Sequence, residues 1–559
     1  MRKRNIIHVT VRLLSLVLTV TLLLALAGCR PPWTEWDEYA DLPPFEQSRS
    51  FSYSADFSAI EDKMTLVRGM IAAGEDYDGF CTLYEELNST DSDHIWDQLV
   101  KYELLRDMDR SNAAYSDGYE KCRAFKRSFL LWIIETEELI AASAFRALYY
   151  EGMSDDEILD YLQEIKGVYN EEERALQEQI DALEDAFYNG TAEDLYTLYA
   201  ELLSARNALA ALNGYENYSA YAHAELYERS YTVAEARRIC DYVAQYLVPT
   251  ANAVNDRYSA LRAEASYWSQ DEIDAYNSFW YRGFQRYGAK AYLDAYADAV
   301  GGELQAVYAN LWENGYYFYG NDPEYSYQGA YQGYLEAEQA PFLYFGPYYQ
   351  SVMTVAHEFG HYYHATKGDN ADYDLLELHS QGNEMLFISY FKQQYESFSI
   401  SDRCAELIVL HQYADALDGI VSAAAVQLFE ELSYAAQEPS RSDLVDIMRN
   451  VLEKYGFSEE QERYILSAAI ESPCYYVSYA ASGVSALLLG ALAEEDLAVA
   501  SKKYGQLCGV SDDVKLTEAL LAVEMTSFFE ESAYIAISDR YGATTQKTDK
   551  YCNPCLGML

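Results

Sequence analysis

Positive charge is scarce in this chain: 40 lysines and arginines stand against 90 aspartates and glutamates in 559 residues, a formal net charge of −50. Nucleic acid is excluded as a partner, because phosphate binding needs a basic stripe and none occurs. The acidity favours solubility and says little about fold. Cysteine is also scarce, 9 residues widely spread, which excludes the dense framework of a small disulfide-stapled domain. Cys552 and Cys555 make a C-x-x-C at the C-terminal end without a second pair or a βαβ setting, so a tail disulfide or two idle thiols fit better than a zinc knuckle. Histidine numbers only 8, so any histidine pair at a meaningful spacing carries weight.

What is present divides the chain. Residues 1–28 hold Arg2-Lys3-Arg4, an apolar run over 13–27, and Leu26-Ala27-Gly28 before Cys29. This resembles a bacterial lipoprotein signal, which makes Cys29 the lipidated first residue of a mature chain held outside the cytoplasmic membrane. The apolar run is short for a spanning helix. Residues 29–58, with Pro31-Pro32 and Pro43-Pro44, read as a tether. Residues 59–200 read as an N-terminal helical region, 201–545 as the region carrying the chemistry, and 546–559 as a tail.

The body is expected to be mainly α. Helical patterning runs over 129–150, 170–188, 193–213, 233–263 and 290–314, with no fixed repeat period, so an irregular helical body fits better than a solenoid. The 55 tyrosines could line a peptide or sugar groove, but scattered half-buried helix positions are the simpler reading. Residues 315–349 differ, being dense in Gly, Tyr, Asn and Pro. Within them, 341–345 (Pro-Phe-Leu-Tyr-Phe) predicts a strand. Its edge could pair with an extended peptide, or it could belong to a hairpin that packs the helix after it; the two are compatible.

That helix contains His357-Glu358-Phe359-Gly360-His361-Tyr362-Tyr363-His364. In H-E-x-x-H the two histidines sit at i and i+4, one above the other on a helix face, where two neutral imidazoles can hold one Zn²⁺. Glu358 beside them is placed to take a proton from an attacking water. Gly346-Pro347 predicts the helix start and Gly368-Asp369-Asn370 a left-handed stop. A catalytic zinc needs a third protein ligand. The following candidates are Asp369, Asp372, Asp374, Glu377, His379 and Glu384. A second helix is expected from Asp374, with Glu377, Ser380, Gln381 and Glu384 on one face and His379 on another. Asp374 with Glu377 also fits an N-cap pairing, which would make Glu377 structural. No third histidine follows at the spacing of the three-histidine metalloproteases, since position 367 is Lys.

These residues resemble the oligoendopeptidase F and thimet oligopeptidase family. Its pattern His-Glu-Phe/Leu-Gly-His-x-x-His is matched at 357–364, and its Glu-x-x-Ser-Gln-x-x-Glu at Glu377, Ser380, Gln381 and Glu384. Asn213-Gly214-Tyr215-Glu216-Asn217-Tyr218 and the tyrosine-rich Pro473-Cys474-Tyr475-Tyr476-Val477-Ser478-Tyr479 are further likenesses. The resemblance implies a two-lobed, mainly α body enclosing a deep channel, with a small β-hairpin or sheet before the zinc helix. It implies one Zn²⁺ per chain on His357, His361 and Glu377, with Glu384 as supporting carboxylate or rival ligand. It makes Glu358 the base, Tyr479 with Tyr475 or Tyr476 the oxyanion donors, and His364 a support behind His361. Short peptides are the implied substrates. The chain departs from the family in a short connection between the zinc helices, in Ala469 where the family's loop carries a histidine, and in Ser472 where a tyrosine is expected. Those departures keep a second expectation open, a peptide-binding lipoprotein with impaired catalysis.

Overall fold

The computed structural model describes residues 49–542 apart from 168–170, 189–193, 265–267, 281–289, 321, 369–371 and 512. The expected signal, Cys29, most of the tether and the Cys552–Cys555 pair lie outside the described residues. Two hydrophobic cores organise the rest. The first gathers Phe57, Phe80, Tyr84, Phe129, Trp132, Phe145 and their neighbours from residues 57–158. The second takes in the apolar faces of nearly all the elements that follow.

One helix, Ser92–Met108, serves both cores. Ile95, Leu99 and Tyr102 recur at i, i+4 and i+7 and enter the first, while Val100 and Leu104 on another face enter the second. Such a two-faced helix buries polar side chains too. Lys101 is 1% exposed, paired with Asp97 at 2.8 Å and with Glu338 at 3.1 Å. Ala337 N–H donates to Asp97 (3.1 Å), and the Asp107 carbonyl accepts from Tyr327 N–H and the Tyr344 hydroxyl, both at 2.7 Å. The first core is thereby pinned to a sheet next to the H-E-x-x-H helix.

That sheet has three strands in the order β1 (Tyr317–Tyr319), β3 (Ala340–Phe345), β2 (Ala330–Leu335). β1 runs parallel to β3, with Tyr317 opposite Leu343; β2 runs antiparallel, with Ala330 opposite Phe345. The predicted strand is therefore present, but it is the central one. Its hydrogen-bonding groups are taken on both sides, so β3 has no edge to offer a peptide; the outer strands are β1 and β2.

The predicted helices form with corrected ends. The 129–150 stretch belongs to a helix that starts earlier and stops sooner, Ala113–Ala141, followed by one short turn at Arg146–Tyr149. The 290–314 stretch is two helices, Lys290–Val300 and Gly302–Asn314, because Gly301 and Gly302 both take positive φ, 67° and 60°. Within 233–263 the turn Val243–Leu247 widens to π geometry just ahead of Pro249, which has no N–H to give. Val477–Glu495 is long and apolar enough to cross a membrane, but 72% of its apolar window is buried inside the protein, so it is a core helix.

The tyrosines are more deeply placed than half-buried helix positions. Among the bulkiest fully buried side chains, Arg206 is joined by Tyr199, Tyr344, Tyr455, Tyr504 and Tyr541. Several give their hydroxyl to a backbone carbonyl of another element: Tyr455 to Cys240, Tyr504 to His379 and Tyr541 to Leu487. No disulfide forms among the described residues, and Cys122, Cys240, Cys404, Cys474 and Cys508 are buried thiols.

Removing a buried cation leaves its carboxylate partner stranded, so Lys101→Ala is expected to lower stability by about 3–5 kcal/mol. Urea unfolding measures it, and a loss below about 1 kcal/mol would show that this pair does not hold the first core to the sheet.

Candidate metal centre

The site is built where two helices touch. The His–Glu helix spans Val352–Ala365. Ser351 caps it through a hydrogen bond from Thr354 N–H at 3.0 Å, four residues beyond the proline expected to start it. It ends at Ala365 with Thr366 still right-handed; Gly368 takes no left-handed conformation, and Asp369 and Asn370 of the predicted stop lie outside the described residues. The acidic helix spans Tyr373–Gln394 and is capped by Asp372, which accepts from Leu375 N–H at 3.0 Å. The cap is thus Asp372 and not Asp374, so Glu377 is not the partner of an N-cap pairing.

Gly360 sets how close these helices come. A Cβ there would lie 2.3 Å from the His379 carbonyl oxygen and 2.7 Å from Ser380 Cα, so any side chain would drive the backbones apart. Asn383 locks the crossing by donating to the Ala356 carbonyl (2.7 Å) while accepting from the Tyr296 hydroxyl (2.9 Å). Glu377 lies one helical turn from this contact and is carried into reach of both histidines. Donor atoms of His357, His361 and Glu377 all fall within 4.8 Å of one another.

Around this triad the structure separates the other candidates. Glu384 hydrogen-bonds His357 Nδ1 with one oxygen and accepts from Gln412 Nε2 (2.6 Å) with the other. It therefore orients the imidazole and leaves Nε2 to face the triad. Tyr475 donates to Glu377 Oε1 at 2.9 Å. The Tyr479 hydroxyl hydrogen-bonds the same carboxylate, and the residue is half-buried where Tyr475 is only 2% exposed. Tyr476 turns away: its hydroxyl bonds Tyr464, so it is not brought to the site. His364 lies behind His361, near enough to help hold that imidazole's proton affinity down. Its Nδ1 meets the Cys508 carbonyl at 2.9 Å, and its ring stacks on His379 at 4.0 Å behind the site. Asp374 faces Arg229 at 3.9 Å, and Asp369 lies outside the described residues.

The centre is electrostatically anionic. Burial lowers the affinity of His357 for a proton, but its bond to Glu384 and the charges of Glu384, Glu358 and Glu377 outweigh that and push it up to about 9. His361 is held well below its ordinary value by burial and by the neighbouring His357. Burial raises Glu358 to about 7 against the pull of His357, with Glu377 and Glu384 adding to the rise. Burial likewise raises Glu377, against His357 and the two tyrosines. Glu358 Oε2 and Glu377 Oε2 are buried with no hydrogen-bond donor. Two imidazoles and a carboxylate oxygen left without a donor, in a pocket of surplus negative charge, fit a divalent cation that accepts nitrogen and oxygen ligands.

Gln412 and Asn383 were not legible as site residues, since neither belongs to a metal-binding pattern. Asn383 stands next to Glu384 in the acidic helix, and Gln412 comes from Asp402–Ala435, a helix with no motif of its own.

No family model and no curated protein matches this sequence. Solved structures do match over nearly the whole chain. PZ peptidase A, solved with an inhibitor, aligns at 14% identity over 89% of this chain and 99% of its own, with a TM-score of 0.60. A Bacillus anthracis structure assigned as an oligoendopeptidase F aligns at 16% identity over 90% and 99%, TM-score 0.59. The oligoendopeptidase-F from Enterococcus faecium aligns at 13% identity over 89% and 99%, TM-score 0.52. At such identities the likeness is one of fold: the chain has the mainly α oligoendopeptidase F fold, its small sheet included.

Two consequences are measurable. Gly360→Ala is expected to cost about 1–3 kcal/mol through overpacking, with loss of bound metal; a stable variant retaining its metal would show that the helices can part without harm. A cation seated on the triad has to displace the proton that His357 holds below about pH 9. Cation uptake at pH 7 should therefore release roughly one proton, and affinity should rise with pH until about 9 and then level. Calorimetry in buffers of different ionisation enthalpy reads the release, and none at pH 7 would overturn the assignment.

Proposed function

We propose that this chain is a zinc-dependent metalloendopeptidase that hydrolyses short peptides outside the cytoplasmic membrane, tethered by a lipid on Cys29. The observation that carries the reading is the convergence of His357, His361 and Glu377, with Glu358 next to His357 on the histidines' own helix. The fold shared with oligoendopeptidases supports it, and so does the family pattern in the sequence.

In this proposal His357, His361 and Glu377 hold one Zn²⁺, and Glu384 is a positioning carboxylate rather than a ligand. Bound zinc would polarise the scissile carbonyl and acidify a water. Glu358 takes a proton from that water and delivers it to the leaving nitrogen, and the burial that raises its carboxyl favours the protonated form that makes the second transfer. Tyr479, half-buried beside Glu377, donates its O–H to the oxygen that gains charge in the transition state. Tyr475 is spent on Glu377 and serves to aim that carboxylate. An extended peptide can pair only with an outer strand, and β2 packs against the His–Glu helix. Restriction to short unfolded peptides rests on the enclosed channel that the family resemblance implies.

The test is metal content together with cleavage of quenched fluorescent peptides, on protein lacking residues 1–29. Wild type is expected to bind one zinc and cleave. Glu358→Gln is expected to keep the zinc and lose at least about 10²-fold in kcat. Zinc without cleavage by either protein would leave the peptide-binding lipoprotein, and no zinc would remove the metallopeptidase reading. Glu377→Ala and Glu384→Gln separate ligand from support. The first is expected to abolish tight zinc binding and the second to weaken it by about 10–100-fold, read by chelator competition; equal losses would make Glu384 a ligand.

A further inference from the structure

The segment between the helices Glu460–Glu471 and Val477–Glu495 presents Tyr475 to Glu377 and leads directly into the first turn of the helix that carries Tyr479, yet within it only Tyr475 N–H closes a backbone hydrogen bond, to the Ser472 carbonyl at 3.2 Å. Pro473 has no N–H, and Cys474 takes φ of 62°, a left-handed conformation that side chains other than glycine and asparagine adopt at a cost. The backbone groups of Pro473 and Cys474 are satisfied from elsewhere in the chain. Tyr227 donates its hydroxyl to the Pro473 carbonyl at 2.8 Å. Arg229 donates to the carbonyls of Cys474 (2.8 Å) and Tyr475 (3.2 Å) and to Ser478 Oγ (3.0 Å). Glu430, fully buried in the helix Asp402–Ala435, accepts the Cys474 N–H at 2.7 Å.

Arg229 reaches further. Its Nε lies 3.9 Å from Asp374 Oδ1, one turn before Glu377 on the acidic helix, and its side chain is only 1% exposed. Its guanidinium sits over the Tyr227 ring at 4.4 Å, and Tyr227 packs edge-on against Tyr475. A single planar fork thus ties the loop that carries Tyr475, and the first turn of the helix that carries Tyr479, to the helix that carries Glu377. Its own approach is constrained as well: Glu228 takes φ of 43°, and Arg229 N–H reaches back to the His223 carbonyl (2.9 Å) across the π-turn Ala222–Leu226. Unusual backbone at both ends of one contact marks a fixed geometry.

We infer that Arg229, with Glu430, is a positioning residue that clamps the strained loop 472–476 and so fixes the Tyr475 and Tyr479 hydroxyls against Glu377. The catalytic part of this inference rests on the proposed peptidase reading; the clamp itself does not.

The test compares wild type with Arg229→Gln, Arg229→Lys, Glu430→Ala and Glu430→Gln. Hydrogen exchange in the metal-free protein reads the clamp directly. Amides of 474–479 are expected to exchange at least about tenfold faster in Arg229→Gln and Glu430→Ala, with the helices Ser92–Met108 and Asp402–Ala435 unchanged. Glu430→Gln keeps an acceptor for the Cys474 N–H and should restore slow exchange. Arg229→Lys, a point charge without the fork, should restore it only in part. In peptide cleavage, kcat should fall by about 10–100-fold in Arg229→Gln with KM little changed, because a displaced transition-state donor costs rate more than binding. Unchanged exchange over 474–479 in folded Arg229→Gln would overturn the clamp. Faster exchange with an unchanged kcat would overturn its role in positioning. A wild type that cleaves nothing would count against the peptidase reading alone, since the exchange result stands without it. Should Arg229→Gln fail to fold, the Glu430→Ala and Glu430→Gln pair decides the clamp by the same readout.

Discussion

The whole centre depends on how closely two helix backbones can approach at Gly360. Only a residue without Cβ lets the His379–Ser380 backbone lie against the His–Glu helix. That distance decides whether Glu377 meets the histidines or stops short of them. The surrounding contacts guard the same crossing: Asn383 ties the acidic helix to the Ala356 carbonyl, and Tyr504 holds the His379 carbonyl at 2.7 Å. A motif that looks like a string of ligands is therefore equally a packing instruction, with its glycine as indispensable as its histidines.

The crossing also concentrates charge. Glu358, Glu377 and Glu384 are brought around His357, which responds by keeping its proton to about pH 9. Such an arrangement costs desolvation that hydrogen bonds only partly offset, since carboxylate oxygens of Glu358 and Glu377 are left without donors. A divalent cation would offset it further and displace the proton. Electrostatics and geometry thus point to one occupant class. The net charge of −50 takes no part in this, because it is spread over the chain and screened by salt, whereas the centre is buried.

Tyrosine explains how an irregular helical body is joined. Helix ends, π-turns and loops leave carbonyls that no helix satisfies, and a buried phenol brings both apolar area and one donor to such a place. Tyr227 on Pro473 and Tyr344 on Asp107 both work in this way. The abundance of tyrosine in the sequence is thus first a property of the scaffold, while Tyr475 and Tyr479 meet Glu377 at the candidate centre.

The sequence alone determined whatever depends on neighbours within a few turns. Helical periodicity yielded a mainly α body, i and i+4 spacing put two histidines on one face, and the bounded aromatic run 341–345 was a strand. It could not decide whatever depends on residues far apart in the chain. Whether 340–345 was an edge or a centre turned on β1 and β2 pairing to either side of it. Glu377 and Glu384 both lie on the inner face of one helix, and only the crossing at Gly360 and the bond from Gln412 gave them different tasks. Tyr475 and Tyr476 are adjacent in sequence, yet one hydroxyl enters the centre and the other goes to Tyr464, because loop 472–476 is bent by a left-handed Cys474. Arg229, 245 residues from the carbonyl of Cys474 that it holds, left no local trace at all. Short-range patterns reflect backbone geometry, which repeats within a few residues; the division of roles among side chains is set by packing, and packing is decided by the whole chain at once.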